Sequence, residues 1–199
     1  MSRIQLVDYG AGNLRSVASA LKRLDIDIQI VRSGDDIKID QPLILPGVGA
    51  AAEAMRHLQE TGIASVLPRC TAPTLGICLG MQLMLTHSEE GHVDTLGIFP
   101  GTVRLVTTAL KLPHMGWNSV QFTEKALPLL ADVPNPSYFY FAHSYAADTD
   151  AAYVVASCMY DSQIPVVIRK NNFWGIQCHP EKSGDVGMQV LTNFARMVS

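Results

Sequence analysis

No block of basic residues, no CxxC pair and no long uncharged apolar stretch occurs in this chain. Each absence removes a class of function. Without a basic run there is no electrostatic footprint for nucleic acid, and the net charge of −3 points the same way. The four cysteines, Cys70, Cys78, Cys158 and Cys178, are scattered without zinc-ligand spacing, so neither a structural metal nor a disulfide framework is expected. No apolar stretch is long enough to cross a bilayer. The first residues, Met1 to Asp8, read as a strand and lack the apolar core and cleavage site of a signal peptide. A reduced, cytoplasmic setting is therefore expected. Charged residues are sparse at 17% while hydrophobic ones reach 48% of 199 residues, which excludes disorder and fits one domain, 1–199, with a sizeable core.

The first half alternates apolar runs with helix-like segments. Strands are expected at Ile4–Asp8, Ile26–Val31, Pro42–Leu45 and Pro73–Ile77, and helices at Asn13–Leu24, Ala50–Gln59 and Leu79–Leu85. Such alternation implies an α/β fold with a mostly parallel sheet, helices on both faces, and a ligand site at the strands' C-terminal ends. The second half changes character. Short strands separated by polar turns are expected at Gly101–Val106, Ser119–Phe122, Tyr138–Ala142, Tyr153–Met159, Pro165–Arg169 and Phe173–Gln177, adding antiparallel hairpins to the core. An amphipathic segment, Gly184–Val198, closes the chain.

Chemistry is concentrated at Gly76-Ile77-Cys78-Leu79-Gly80-Met81-Gln82, where a buried strand turns into a helix. A thiol lifted on such a turn is a candidate nucleophile, since amides at a helix N-terminus favour the thiolate. Gly76 and Gly80 leave room for the strain. A cysteine nucleophile needs a base, and the base needs a group to hold it. Most of the six histidines have a bland reading: His57 lies on a helix with a charged face, and His87 and His92 lie in a polar loop. His179 instead follows an apolar strand and precedes Pro180, which favours an extended backbone. Residues two apart then face the same way, so Glu181 reaches the His179 ring.

A third element is Leu43 to Gly49, a strand entering a glycine loop. Gly47-Val48-Gly49-Ala50-Ala51-Ala52 formally matches a dinucleotide fingerprint. It follows the third strand, however, and no acidic residue lies near 67–70 to hold a ribose. No cofactor is expected. The loop can instead offer a backbone N–H from Gly47, Val48 or Gly49 to an oxyanion, together with the amide of Leu79. A tight turn without catalytic role is the competing reading.

Taken together, the cysteine turn, the upstream glycine loop and His179-Pro180-Glu181 resemble the class I (triad-type) glutamine amidotransferases over nearly the whole chain, which implies their flavodoxin-like fold. Asp8 to Leu14, Pro46 to Gly49 and especially Pro113-His114-Met115-Gly116-Trp117-Asn118 narrow the likeness. They are similar to family members that serve a (β/α)8-barrel cyclase in histidine biosynthesis, whose products are imidazole glycerol phosphate and an aminoimidazole carboxamide ribonucleotide. The resemblance implies Cys78 as nucleophile on glutamine, His179 as base and acid, and Glu181 as its orienter. It further implies a glutamine pocket lined by Gln82, Glu90, His143, Ser144 and Tyr145, with Glu90 meeting the substrate ammonium. Asn13, His114, Met115, Trp117 and Asn118 are candidates for the cyclase interface. Cys178 stands where the family commonly has an aromatic residue, as inert filler or as an oxidation liability. The alternatives left open are the glutaminase of an anthranilate or aminodeoxychorismate synthase, a free-standing γ-glutamyl thiol hydrolase, and a non-catalytic flavodoxin-like module.

Overall fold

A computed structural model describes residues 3–10 and 13–197. Ala11 and Gly12 of the first glycine-rich segment, and Val198 of the closing one, lie outside the described residues. The first half runs β1 (Ile4–Val7), α1 (Leu14–Arg23), β2 (Ile28–Val31), β3 (Leu43–Leu45), α2 (Ala51–Glu60), α3 (Ile63–Val66), β4 (Thr74–Ile77) and α4 (Leu79–Gln82). The second runs β5 (His87–Ser88), β6 (Val93–Asp94), β7 (Thr102–Leu105), β8 (His114–Phe122), β9 (Ser137–His143), β10 (Tyr145–Asp148), β11 (Val154–Tyr160), β12 (Ser162–Lys170), β13 (Phe173–Ile176) and α5 (Gly184–Arg196).

Nine strands form one sheet in the order β2-β1-β3-β4-β13-β12-β11-β8-β9. The first five of that order are mutually parallel, and the remaining strands join antiparallel. The expected parallel core with antiparallel additions is therefore present. β13, the last strand in sequence, inserts beside β4 with Ile176 opposite Ile77, which brings the two chain halves together at one sheet end.

Period-two alternation explains the two cores. Ile4, Leu6, Ile44, Leu75, Ile77, Trp174 and Ile176 face one side and pack with Val17 and Leu21 of α1 and Val190, Leu191 and Phe194 of α5. Val7, Val31, Leu43, Leu45, Ile168 and Phe173 face the other and pack with Met55 and Leu58 of α2. This second face is shared with a small sheet in the order β10-β7-β5-β6. That sheet was not expected as such, because strands of two to four residues leave too little alternation to read.

Several expected boundaries move, two of them near the site. The segment Leu79–Leu85 is helical only over Leu79–Gln82, and Leu83 to Leu85 continue as buried turns. The strand expected at Ser119–Phe122 begins at His114, so His114-Met115-Gly116-Trp117-Asn118 is the first half of β8.

Candidate active site

Three neighbouring strands deliver the predicted groups to one place. Pro46 to Gly49 follow β3, Cys78 follows β4, and His179 follows β13 after two residues. Adjacent strands lie about 5 Å apart, so side chains at their common end converge.

Cys78 adopts φ 54° and ψ −110°, a left-handed conformation that L-residues avoid. Its N–H donates to Ile176 O at 2.7 Å, which pins the turn to β13. A Cβ on Gly80 would stand 1.9 Å from Leu45 O, so only glycine lets the elbow pass this close to β3. The helix behind the thiol is a single turn. The strained turn, more than a long helix dipole, sets the sulfur's position.

His179 is 1% exposed, and its Nδ1 donates to Glu181 Oε1 at 2.8 Å. Burial alone would lower the imidazole pKa. The hydrogen bond with Cys78 and then that with Glu181 outweigh burial and raise it to about 9. Burial likewise pushes the Glu181 carboxyl up, but its bond to His179, that ring's charge and the bond from Asn13 bring it below the usual range. The Asn13 amide donates to Glu181 Oε1 at 2.7 Å. Its 3.4 Å approach to His179 Nδ1 cannot be a second donation, because that nitrogen already carries the proton given to Glu181.

A small cavity of about 90 Å³ opens over the sulfur, lined by Val48, Gly49, Cys78, Leu79, Gln82, Glu90, Ala142, His143, Ser144 and Tyr145. All five residues expected around glutamine lie on its wall. Glu90 Oε2 also accepts from the Ala51 N–H at 2.9 Å. Gly49, with φ +101° and no atom within 4 Å of a Cβ, sits where the loop is free to turn. Gly47 does not line the cavity; a Cβ there would come within 3 Å of the Tyr9 hydroxyl, the Gly80 amide and Leu79, so the loop passes them only as glycine. Among the described residues, no three His, Cys, Asp or Glu side chains gather as metal ligands do.

The interface candidates divide. Met115 and Trp117 are 63% and 56% exposed, but Asn13 and His114 are not on a rim. Asn13 is 4% exposed and tied to Glu181, and His114 is 3% exposed and stacked between Phe141 and Tyr160. Asn118 is half-buried and bonded to His114 and to Met159 O. His57, read as a surface residue, bonds Tyr9 O through Nδ1 at 2.8 Å.

Gln177 was missed. Its Nε2 lies 3.8 Å from Cys78 Sγ. Its position two residues before His179 on an extended segment is the signal that it faces the same side. Cys178 is not on the cavity wall and is fully buried, and burial holds its thiol well above the usual range. That marks it as filler rather than a reactive group.

A family model described as "Glutamine amidotransferase class-I" matches residues 5–198. This chain belongs to that family. Among curated relatives, the imidazole glycerol phosphate synthase subunit HisH of Xanthomonas euvesicatoria pv. vesicatoria (strain 85-10) is 45% identical over 200 residues, covering 99% of this chain and 98% of its own. The subunit named HisH 2 of Legionella pneumophila (strain Paris) is 42% identical over 198 residues, covering 98% of each. Among solved structures, that of PurLQS from Thermotoga maritima superposes with a TM-score of 0.74 at 19% identity, covering 100% of both chains. This last likeness shows the amidotransferase fold alone. No helix among the described residues is long and apolar enough to span a membrane.

Proposed function

We propose that this chain is the glutaminase subunit of an imidazole glycerol phosphate synthase, hydrolysing glutamine and handing ammonia to a docked (β/α)8-barrel cyclase of histidine biosynthesis. The observation that carries the chemistry is the buried His179, bonded to Glu181 at 2.8 Å and carried at the end of β13 beside the Cys78 elbow and its pocket. The relatives, subunits of imidazole glycerol phosphate synthase, supply the identity of the synthase.

The sulfur of Cys78, having passed its proton to His179, attacks the side-chain amide carbon of glutamine. The electron pair of the C=O moves to oxygen, where the Leu79 amide and an N–H of the Gly47–Gly49 loop receive it. As the C–N bond breaks, the imidazolium gives its proton to the leaving nitrogen, producing ammonia and a γ-glutamyl thioester. His179 then takes a proton from water, hydroxide adds to the thioester, and glutamate leaves as the C–S bond breaks. Glu181 keeps the proton on Nδ1, so Nε2 is the nitrogen that exchanges it.

Ammonia free in neutral water is mostly protonated and no longer nucleophilic, so the chemistry calls for a partner at the cavity's edge. Met115, Trp117, Tyr138 and Met159, all more than half exposed on neighbouring strands, offer an apolar face for it. The test is glutamine turnover with and without the cyclase and its nucleotide ligand. Turnover that appears only with the liganded cyclase, and is lost in Cys78→Ser, is the expected result. Full turnover by the isolated chain favours a free-standing hydrolase.

A further inference from the structure

The most continuous polar feature outside the triad begins under the exposed apolar face and ends at the nucleophile. Asn118 Nδ2 donates to Met159 O at 2.9 Å and lies 3.2 Å from His114 Nε2. His114 Nδ1 lies 3.1 Å from His143 Nε2, and His143 Nδ1 lies 2.8 Å from Tyr145 O. Carbonyl oxygens only accept, so the two ends fix every proton between them. Tyr145 O requires Nδ1–H on His143, leaving its Nε2 as acceptor. His114 must then donate from Nδ1, which leaves its own Nε2 to accept from Asn118. The Asn118 amide cannot be reversed, because Oδ1 already accepts from Ser119 N–H at 2.7 Å. Four hydrogens fill four bonds only if both rings are neutral.

Tyr145 O also accepts from Gln82 Nε2 at 2.8 Å, and the other Gln82 hydrogen goes to Gln177 Oε1 at 3.1 Å. Gln177 is thereby made to present its NH2, not its carbonyl, to the Cys78 sulfur. A carbonyl there would repel a thiolate.

We propose that His114 is a positioning residue. By donating to His143 it holds the Ser144–Tyr145 wall of the glutamine pocket and the shared carbonyl from which the donor facing Cys78 takes its direction. Burial lowers the pKa of His114 and, to about 4, that of His143, in keeping with two neutral rings. The kinetic arm of the test rests on the proposed glutaminase activity; the spectroscopic arm does not.

Two substitutions separate hydrogen bonding from packing. His114→Phe keeps a ring stacked between Phe141 and Tyr160 but removes the donor. His114→Asn keeps a donor at the Nδ1 place and loses the stack. The asparagine variant should have the lower thermal midpoint, and the phenylalanine variant the larger rise in KM for glutamine. That rise should be about tenfold, with kcat changed by less than about threefold, as expected when one buried acceptor loses its partner. The reverse order, with asparagine the worse binder, would overturn the proposal. Imidazole ¹⁵N spectra of the free chain at neutral pH should show a single proton on Nδ1 of both His114 and His143. A proton on Nε2 of either ring, or two on one, would overturn it without reference to activity.

Discussion

Two buried histidines, His143 on the cavity wall and His179 beside the Cys78 elbow, answer burial in opposite ways. His179, at the end of β13, is raised to about 9, whereas His143, at the end of β9, is lowered to about 4. Both are nearly inaccessible, at 1% and 6% exposed. The difference lies in their partners. His143 feels burial first, and its bond to one carbonyl, beside two other imidazoles, does not offset that. His179 is also buried, but the bonds it makes to Cys78 and Glu181 favour its proton by more than burial opposes it. A buried imidazole is thus made a proton carrier or a fixed neutral strut by what is placed 3 Å from it.

The most drastic way to break the contrast is Cys78→Ser. It removes the first of the groups that raise His179 and the nucleophile together, so partner-stimulated turnover should fall by at least about a thousandfold. An NMR titration should then find His179 well below 9. Glu181→Gln comes next. The carboxamide leaves no charge to hold the imidazolium, and kcat should drop about a hundredfold or more while KM for glutamine changes little. Steady-state kinetics with the cyclase present would read both numbers.

The two histidines also give stability a peak in pH. His179 has its folded pKa raised above the ordinary 6.5, so its stabilisation is complete below 6.5 and is lost as pH climbs through about 9. His143 is depressed, so below 6.5 the unfolded chain takes a proton that the folded one refuses until about 4, and stability falls toward acid. Denaturant midpoints should therefore be highest near pH 6.5, with each limb on the order of 1–3 kcal/mol. Replacing His143 should reduce the acid limb, to which His114 and Glu181 also contribute, and replacing His179 should flatten the alkaline one.

Much of the site was legible from local chemistry. The glycines around Cys78 announced a strained elbow, and Pro180 leaves His179 extended; Glu181, however, reaches the ring from a single 3-10 turn, Pro180–Lys182, and not from the extended run that the two-residue spacing implied. Other parts were not legible, for physical reasons. Asn13 supports Glu181 from 168 positions away in the chain, and such a pairing leaves no local pattern. His114 was taken for a surface group because Pro113 and Gly116 disguise the start of β8, whose inward positions carry His114 and Asn118 while Met115 and Trp117 face out. The apolar run after Gln82 promised a longer helix, but Leu83 to Leu85 are buried as turns against the small sheet's side of the core.

The smallest expected effect extends the contrast to the thiols. Cys178→Ala should cost only about 1 kcal/mol and leave turnover unchanged, because burial keeps that thiol protonated and it does not line the cavity. A fall in turnover beyond twofold would give Cys178 a part in the site.

The most direct measurement is peptide mapping after reaction with a glutamine-analogue electrophile. One adduct per chain is expected, confined to residue 78, slowed by added glutamine and abolished by His179→Ala. An adduct on another thiol, or labelling at residue 78 that proceeds equally well without the histidine, would contradict the sulfur–imidazole partnership on which the mechanism stands.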